Sequence, residues 1–176
     1  MRKAVQRVVP HTLLAAFVVP LFASTALPVK AASEPGPLVE ARLGQLVHRT
    51  VERAASRLAE PGCALVLGDF TDSRSGRPLS ATLAASGRTA ASFFASLRFV
   101  DADHMVQCRR RPAYAWVPVG GDVVFVCRSR FEALVRKDEW LAGNVLVHES
   151  LHSLGLGENP PSSEEITIAV VRHCGR

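Results

Sequence analysis

Two histidines four residues apart, with a glutamate directly after the first, form the most chemically informative pattern in the chain. A spacing of i and i+4 puts the imidazoles of His148 and His152 on one helix face, so both can bind one Zn²⁺ at about 2.0–2.1 Å. Glu149 is turned by about 100° around the helix and can reach a metal-bound water without binding the metal. The pattern therefore predicts a zinc site with Glu149 as general base.

The residues after this helix extend the pattern. The run from His148 to Glu158 has the form His-Glu-x-x-His-x-x-Gly-x-x-Glu, and it resembles the extended motif of the metzincins among the zincin metallopeptidases. In that motif a glycine, here Gly155, lets the chain turn sharply and return a third ligand to the metal. The resemblance implies that Glu158 is this ligand, where metzincins have His or Asp. Metzincins also have a downstream methionine, whereas Met1 and Met105 both precede the helix.

Two further glutamates remain alternatives for the third ligand. Glu164 and Glu165 follow at a distance that resembles the gluzincins, in which a downstream helix supplies a glutamate. Ser162 and Glu165 also form a capping box before an apolar run, which explains Glu165 without a metal. The string 154–167 is similar to that of small exported bacterial proteins classed as candidate metallopeptidases of undefined substrate.

The amino terminus has the features of an export signal. A basic start is followed by a mostly apolar stretch over residues 12–26 and by small residues suited to cleavage near Ala31. The apolar stretch is shorter than the roughly 20 residues that a membrane-spanning helix needs. We expect a signal peptide over residues 1–31, one domain over 32–176, and a secreted or periplasmic protein.

The charge of the mature part excludes an obvious polyanionic partner. The net charge of +5 includes four basic residues of the signal, and without them 17 basic residues oppose 16 acidic ones. We therefore expect no nucleic-acid partner, no membrane association after signal removal, and a monomer. The basic run 109–111 is interpreted as a solvated loop.

All four cysteines lie in the mature part of the chain. An even number of cysteines in an exported protein predicts disulfides, and three connectivities are open. The preferred pairs are Cys108 with Cys127 and Cys63 with Cys174, because the second would tie the carboxyl-terminal segment to the body.

Hydrophobic spacing predicts the remaining elements. We expect an amphipathic helix over 39–58, a buried strand over 63–67, and two short helices over 79–85 and 89–97. Apolar residues on two sides of 138–154 predict a mostly buried helix that carries the histidines.

Two β-prone runs, 114–119 and 122–127, flank Gly120-Gly121 and predict a tight hairpin with an edge strand. Asp101, Asp103 and His104 follow the second short helix and are interpreted as capping groups rather than as a metal cluster. The predicted fold is α+β: a single zincin-like domain with an amino-terminal amphipathic helix, a small twisted sheet with this hairpin, the buried active-site helix and a short carboxyl-terminal helix.

The expected function is zinc-dependent hydrolysis of peptide bonds in a peptide or protein substrate. An extended substrate is expected to pair with the hairpin, at residues 123–126, and His173 and Tyr114 are possible oxyanion stabilisers. The alternative is a non-catalytic exported domain that binds zinc or a partner. Such a structural zinc site would normally have a fourth protein ligand and no use for Glu149.

Overall fold

The computed structural model describes residues 36–110 and 112–175, so the predicted signal peptide over 1–31 lies outside the described residues. The described part has a mixed α+β fold with a small open sheet, as predicted. Its α-helices are α1 (Gly44–Leu58), α2 (Pro61–Ala64), α3 (Leu79–Ala85), α4 (Ala90–Ala95), α5 (Val106–Arg110), α6 (Arg128–Lys137), α7 (Glu139–Ser153) and α8 (Ser163–Cys174).

The strands of the described part form one mixed sheet. They are β1 (Leu38–Val39), β2 (Arg98–Asp101), β3 (Ala115–Trp116) and β4 (Val123–Val126). Their order is β1-β2-β4-β3, with β1, β2 and β4 parallel and β3 antiparallel to β4. Phe99 lies opposite Val124 in the β2–β4 pair, and both side chains are fully buried. This face of the sheet therefore covers the core.

Helix α7 lies in the middle of the helical layer. It contacts α1, α6 and α8 as well as the two strands of the hairpin. Leu146, Val147 and Leu151 have no exposed surface, and burial of each such side chain contributes roughly 1.5–3 kcal/mol. The prediction of a mostly buried helix over 138–154 is confirmed.

The amino-terminal helix is shorter than predicted. Residues 38–39 form β1, which pairs with β2, and a 3₁₀ turn over Ala41–Leu43 leads into α1. Pairing with the sheet therefore overrides the helical periodicity at the start of the predicted helix. The buried side chains of α1 recur at helical spacing, at Val47, Val51, Ala54 and Leu58.

The predicted strand over 63–67 is wrong. Pro61 occupies the first turn of α2, and a 3₁₀ turn over Leu65–Gly68 follows it. A short apolar run is compatible with either a buried strand or a helical turn. Here Val66 and Leu67 are buried while Leu65 is 63% exposed, which fits a turn that packs one side on α8.

A hairpin is present, but residues 117–122 connect its strands, so the connection is longer than the predicted turn at Gly120-Gly121. Its substrate-binding edge was also assigned to the wrong strand. Residues 123–126 form β4, which has β2 on one side and β3 on the other. The edge of the sheet beside the hairpin is β3, and Pro118 lies two residues after its last paired residue. Pairing with a substrate at 123–126 is therefore excluded.

Two helices of the described part lack a prediction from sequence, α5 and α6. Arg109 and Arg110 end α5, so the run 109–111 is not wholly a loop, and Arg111 lies outside the described residues. The expected capping role of Asp103 is confirmed, since its carboxylate accepts the Ser129 N–H in the first turn of α6 at 3.2 Å.

Both predicted disulfides are present, Cys63–Cys174 and Cys108–Cys127. The first joins α2 to the end of α8, and the second joins α5 to the residue before α6. Two disulfides indicate an oxidising compartment. Within residues 36–110 and 112–175, the search for a helix that could cross a membrane found none.

Candidate metal centre

Helix α7 presents a polar stripe to a cleft through its last two turns. Asp138 caps the helix by accepting the Leu141 N–H at 2.9 Å, and the helix continues to Ser153. His148 and His152 therefore lie one turn apart on the face that also carries Val145. Both histidines are 6% exposed, so their ring nitrogens need partners inside the protein.

The chain reverses sharply after α7 and brings Glu158 back to the histidines. Gly155 has φ +113°, and a Cβ at this position would lie 2.9 Å from the Asp72 Cγ atom. Only glycine satisfies both the left-handed backbone and this close approach. Ser73 holds the turn by donating two hydrogen bonds to the Gly155 carbonyl, each 2.9 Å.

Three side-chain donors converge where the chain returns. The Nε2 atoms of His148 and His152 lie 3.1 Å apart, and Glu158 Oε1 lies 3.7 and 3.3 Å from them. In a tetrahedral zinc site with bonds of about 2.0–2.1 Å, neighbouring donors lie about 3.3 Å apart. The three distances fall around this value, so the group could hold a metal ion.

The hydrogen bonds behind the rings determine which nitrogen of each carries the proton. His152 Nδ1 faces the Leu156 carbonyl at 2.8 Å, so Nδ1 must donate. His148 Nδ1 faces Thr167 Oγ1 at 3.1 Å, and the Thr167 hydroxyl donates its own proton to the Ser163 carbonyl. Each neutral ring therefore has its lone pair on Nε2. Two lone pairs that face each other at 3.1 Å repel, and a bound cation would turn this repulsion into attraction.

Electrostatics keep His148 in the form that binds metals. Burial, with a smaller electrostatic contribution from neighbouring His152, lowers the pKa of His148 to about 3. A neutral imidazole is the metal-binding form of histidine. The His148 ring therefore need not lose a proton to bind an ion at neutral pH.

Glu149 lies beside the three donors but is not one of them. Burial, together with the negative charge of Glu158, raises the pKa of Glu149 to about 8 despite a hydrogen bond from the Val117 N–H, which opposes the rise. The side chain lines the same cleft as the histidines. It is thus a buried carboxyl group that can exchange a proton close to the ligand set.

A cleft of about 630 Å³ contains these groups. Strand β3 and the following Val117 form the wall opposite α7. The Cys127 N–H donates to the Tyr114 carbonyl at 2.9 Å, so Tyr114 and Trp116 direct their backbone groups to β4. Ala115 and Val117 therefore direct theirs away from β4, into the cleft.

The other sequence-derived candidates lie in different environments. Glu165 accepts the Ser162 N–H at 2.8 Å in the capping box of α8, and neither it nor Glu164 joins the donor group. His173 pairs with Asp69 at 2.8 Å and does not line the cleft. Tyr114 does line the cleft.

Two supports of the site have no prediction from the sequence. Thr167 orients His148 from α8, and the Leu156 carbonyl orients His152 from the turn. The position of Thr167 one turn into a capped helix is a weak signal, because contact with His148 depends on how α8 packs on α7. Comparisons of the chain with protein families, with curated proteins and with solved structures found no match.

Proposed function

We propose that this chain is an exported, zincin-like peptidase that uses Zn²⁺ held by His148, His152 and Glu158. The observation that carries the proposal is the pair of facing Nε2 lone pairs beside the Glu158 carboxylate. Among the described residues this donor group has three members, whereas a structural zinc site normally has four protein ligands. The two disulfides support export, since they are stable in an oxidising compartment.

Each residue of the site has a defined task in hydrolysis. When bound, Zn²⁺ would polarise the scissile carbonyl and lower the pKa of a water molecule. A bound cation would favour the ionised form of Glu149, whose carboxylate then accepts the proton of the attacking water and passes it to the leaving amine. The hydrogen bond from the Val117 N–H also favours the ionised form.

The free edge of β3 favours an extended peptide as the substrate. Ala115 directs its N–H and carbonyl into the cleft, so a peptide that lies along β3 would gain main-chain hydrogen bonds. Esters and sugars lack the repeating donors and acceptors that such an edge pairs with. Strand β3 thus replaces residues 123–126 of β4 as the proposed pairing site for the substrate.

The test is cleavage of a quenched peptide library together with zinc content. We expect Glu149→Gln to keep its zinc and to lose at least about a hundredfold in kcat/KM, because a general base contributes 10²- to 10⁴-fold. Glu164→Gln is the matched control, since Glu164 is exposed and outside the donor group, and it should cleave like the unaltered chain.

Equal cleavage by Glu149→Gln and the unaltered chain would contradict the catalytic role. Zinc uptake without any cleavage by the unaltered chain would favour the alternative, a non-catalytic zinc-binding or partner-binding domain.

A further inference from the structure

A second cavity of about 680 Å³ adjoins the metal cleft. Pro112, Tyr114 and Leu141 line both cavities, so the two form one groove. Helix α7 and the chain that leads into β3 run along the groove on opposite sides. A peptide bound at β3 would therefore continue into the second cavity.

The second cavity is basic. We call it the basic pocket and define it by Arg110, Arg130 and Lys137, which all line it. Its one acidic residue, Asp138, directs a carboxylate oxygen to the Leu141 N–H at the start of α7. Three cations against one carboxylate leave an excess of two positive charges.

Two of these cations are available to a ligand. Arg110 and Lys137 are exposed. Neither side chain makes a hydrogen bond or an ion pair with another residue of the described ranges 36–110 and 112–175. Among the described residues, no arginine or lysine lines the metal cleft, so the cationic side chains of the groove lie at the end formed by the basic pocket.

Two distances along the chain relate residues that line both cavities to residues deeper in the metal cleft. Leu141 precedes His148 by seven residues of α7, which corresponds to about 10 Å along the helix. Tyr114 precedes Val117 by three residues of extended chain, which again corresponds to about 10 Å. An extended peptide covers this length with about three residues.

We propose that the basic pocket binds a carboxylate of the peptide substrate three or more residues from the cleaved bond, and that Arg110 and Lys137 determine this specificity. The inference rests on the proposed peptidase function and names its substrate class. The carboxylate belongs either to an Asp or Glu side chain or to the end of the peptide chain, and both offer the same chemistry to an arginine and a lysine.

The test is equilibrium binding to zinc-loaded Glu149→Gln protein, measured by fluorescence anisotropy. The probes are amidated Ala/Ser heptapeptides that carry a single Glu at each position in turn, their Gln counterparts, and Gln peptides with a free terminal carboxylate. We expect the best carboxylate peptide to bind about tenfold more tightly than its neutral counterpart. The double variant Arg110→Gln/Lys137→Gln should lose this preference. The control Arg49→Gln/Arg172→Gln removes the same charge outside both cavities and should keep it.

Equal binding of all charged and neutral peptides, or an equal loss in the control variant, would overturn the basic pocket. A preference for only one source of carboxylate would support the pocket and identify the source. Cleavage by the unaltered chain without any carboxylate preference would overturn the pocket and leave the peptidase proposal intact. Charge-dependent binding without any cleavage would support the basic pocket and contradict the peptidase proposal.

Discussion

Two clusters of carboxylate and histidine side chains differ in how their polar atoms are satisfied. In the cluster at the end of β2, Asp101 pairs with Arg128 at 3.2 Å and Asp103 accepts the Ser129 N–H. In the cleft, by contrast, the Nε2 lone pairs of His148 and His152 face each other. Residue types alone do not identify a group that could hold a metal ion. Lone pairs that converge without a donor do indicate one, because each buried acceptor normally has a partner.

The largest expected effect separates the two clusters directly. His152→Ala removes one of three donors, so zinc affinity should fall at least about a thousandfold, or about 4 kcal/mol. His104→Ala, in the cluster at the end of β2, should bind zinc like the unaltered chain because His104 is exposed and outside the donor group. Competition with a zinc chelator measures both affinities. A similar loss in the two variants would contradict the distinction.

The next effect concerns the turn that returns Glu158. Gly155→Ala strains a left-handed residue and places a Cβ against Asp72, so the free energy of unfolding should fall by about 3 kcal/mol. Gly87→Ala is the matched control, because Gly87 has φ +69° but no neighbour within 4 Å of the added atom. It should lose about 1 kcal/mol. Urea unfolding of the metal-free protein measures both, and equal losses would argue against a role for the close approach to Asp72.

A smaller effect is expected behind the metal-binding face. Thr167→Val keeps the shape of the side chain but removes the acceptor for His148 Nδ1. Loss of such a supporting hydrogen bond typically lowers metal affinity 10- to 100-fold. Chelator competition measures the change. Unaltered zinc affinity would show that the tautomer of His148 does not depend on Thr167.

The smallest effect tests the cluster whose polar atoms are paired. Asp103→Ala removes the carboxylate that caps α6, which should lower the free energy of unfolding by about 1 kcal/mol. Zinc affinity should not change, because the donors lie elsewhere. Urea unfolding measures the stability and chelator competition measures the zinc affinity of the same sample. A loss of zinc binding would contradict the view that the two clusters act independently.

Local patterns predicted much of this fold. Helical periodicity and caps predicted α7 and α8, a Gly-Gly pair predicted the hairpin, and the cysteine count predicted two disulfides. These signals depend on neighbours in sequence. Helix α6 carries the same kind of signal, with buried Phe131, Leu134 and Val135 at helical spacing, and it could have been predicted.

The predictions were wrong where contacts between distant parts of the chain determine the local structure. The run 63–67 could form a strand or a turn, and packing on α8 together with the Cys174 disulfide decides for the turn. The edge position of β3 depends on β2 pairing with β4, whose paired residues lie 25 positions further along the chain. Thr167 meets His148 only because α8 packs on α7. Sequence spacing contains none of these distances.

The most direct test of the metal centre is a crystal structure of the protein grown with Zn²⁺ and measured at the zinc absorption edge. We expect one anomalous peak at about 2.0–2.1 Å from the Nε2 atoms of His148 and His152, with Glu158 as the third protein ligand. A cleft without a peak, or rings that point their Nε2 atoms apart, would contradict it.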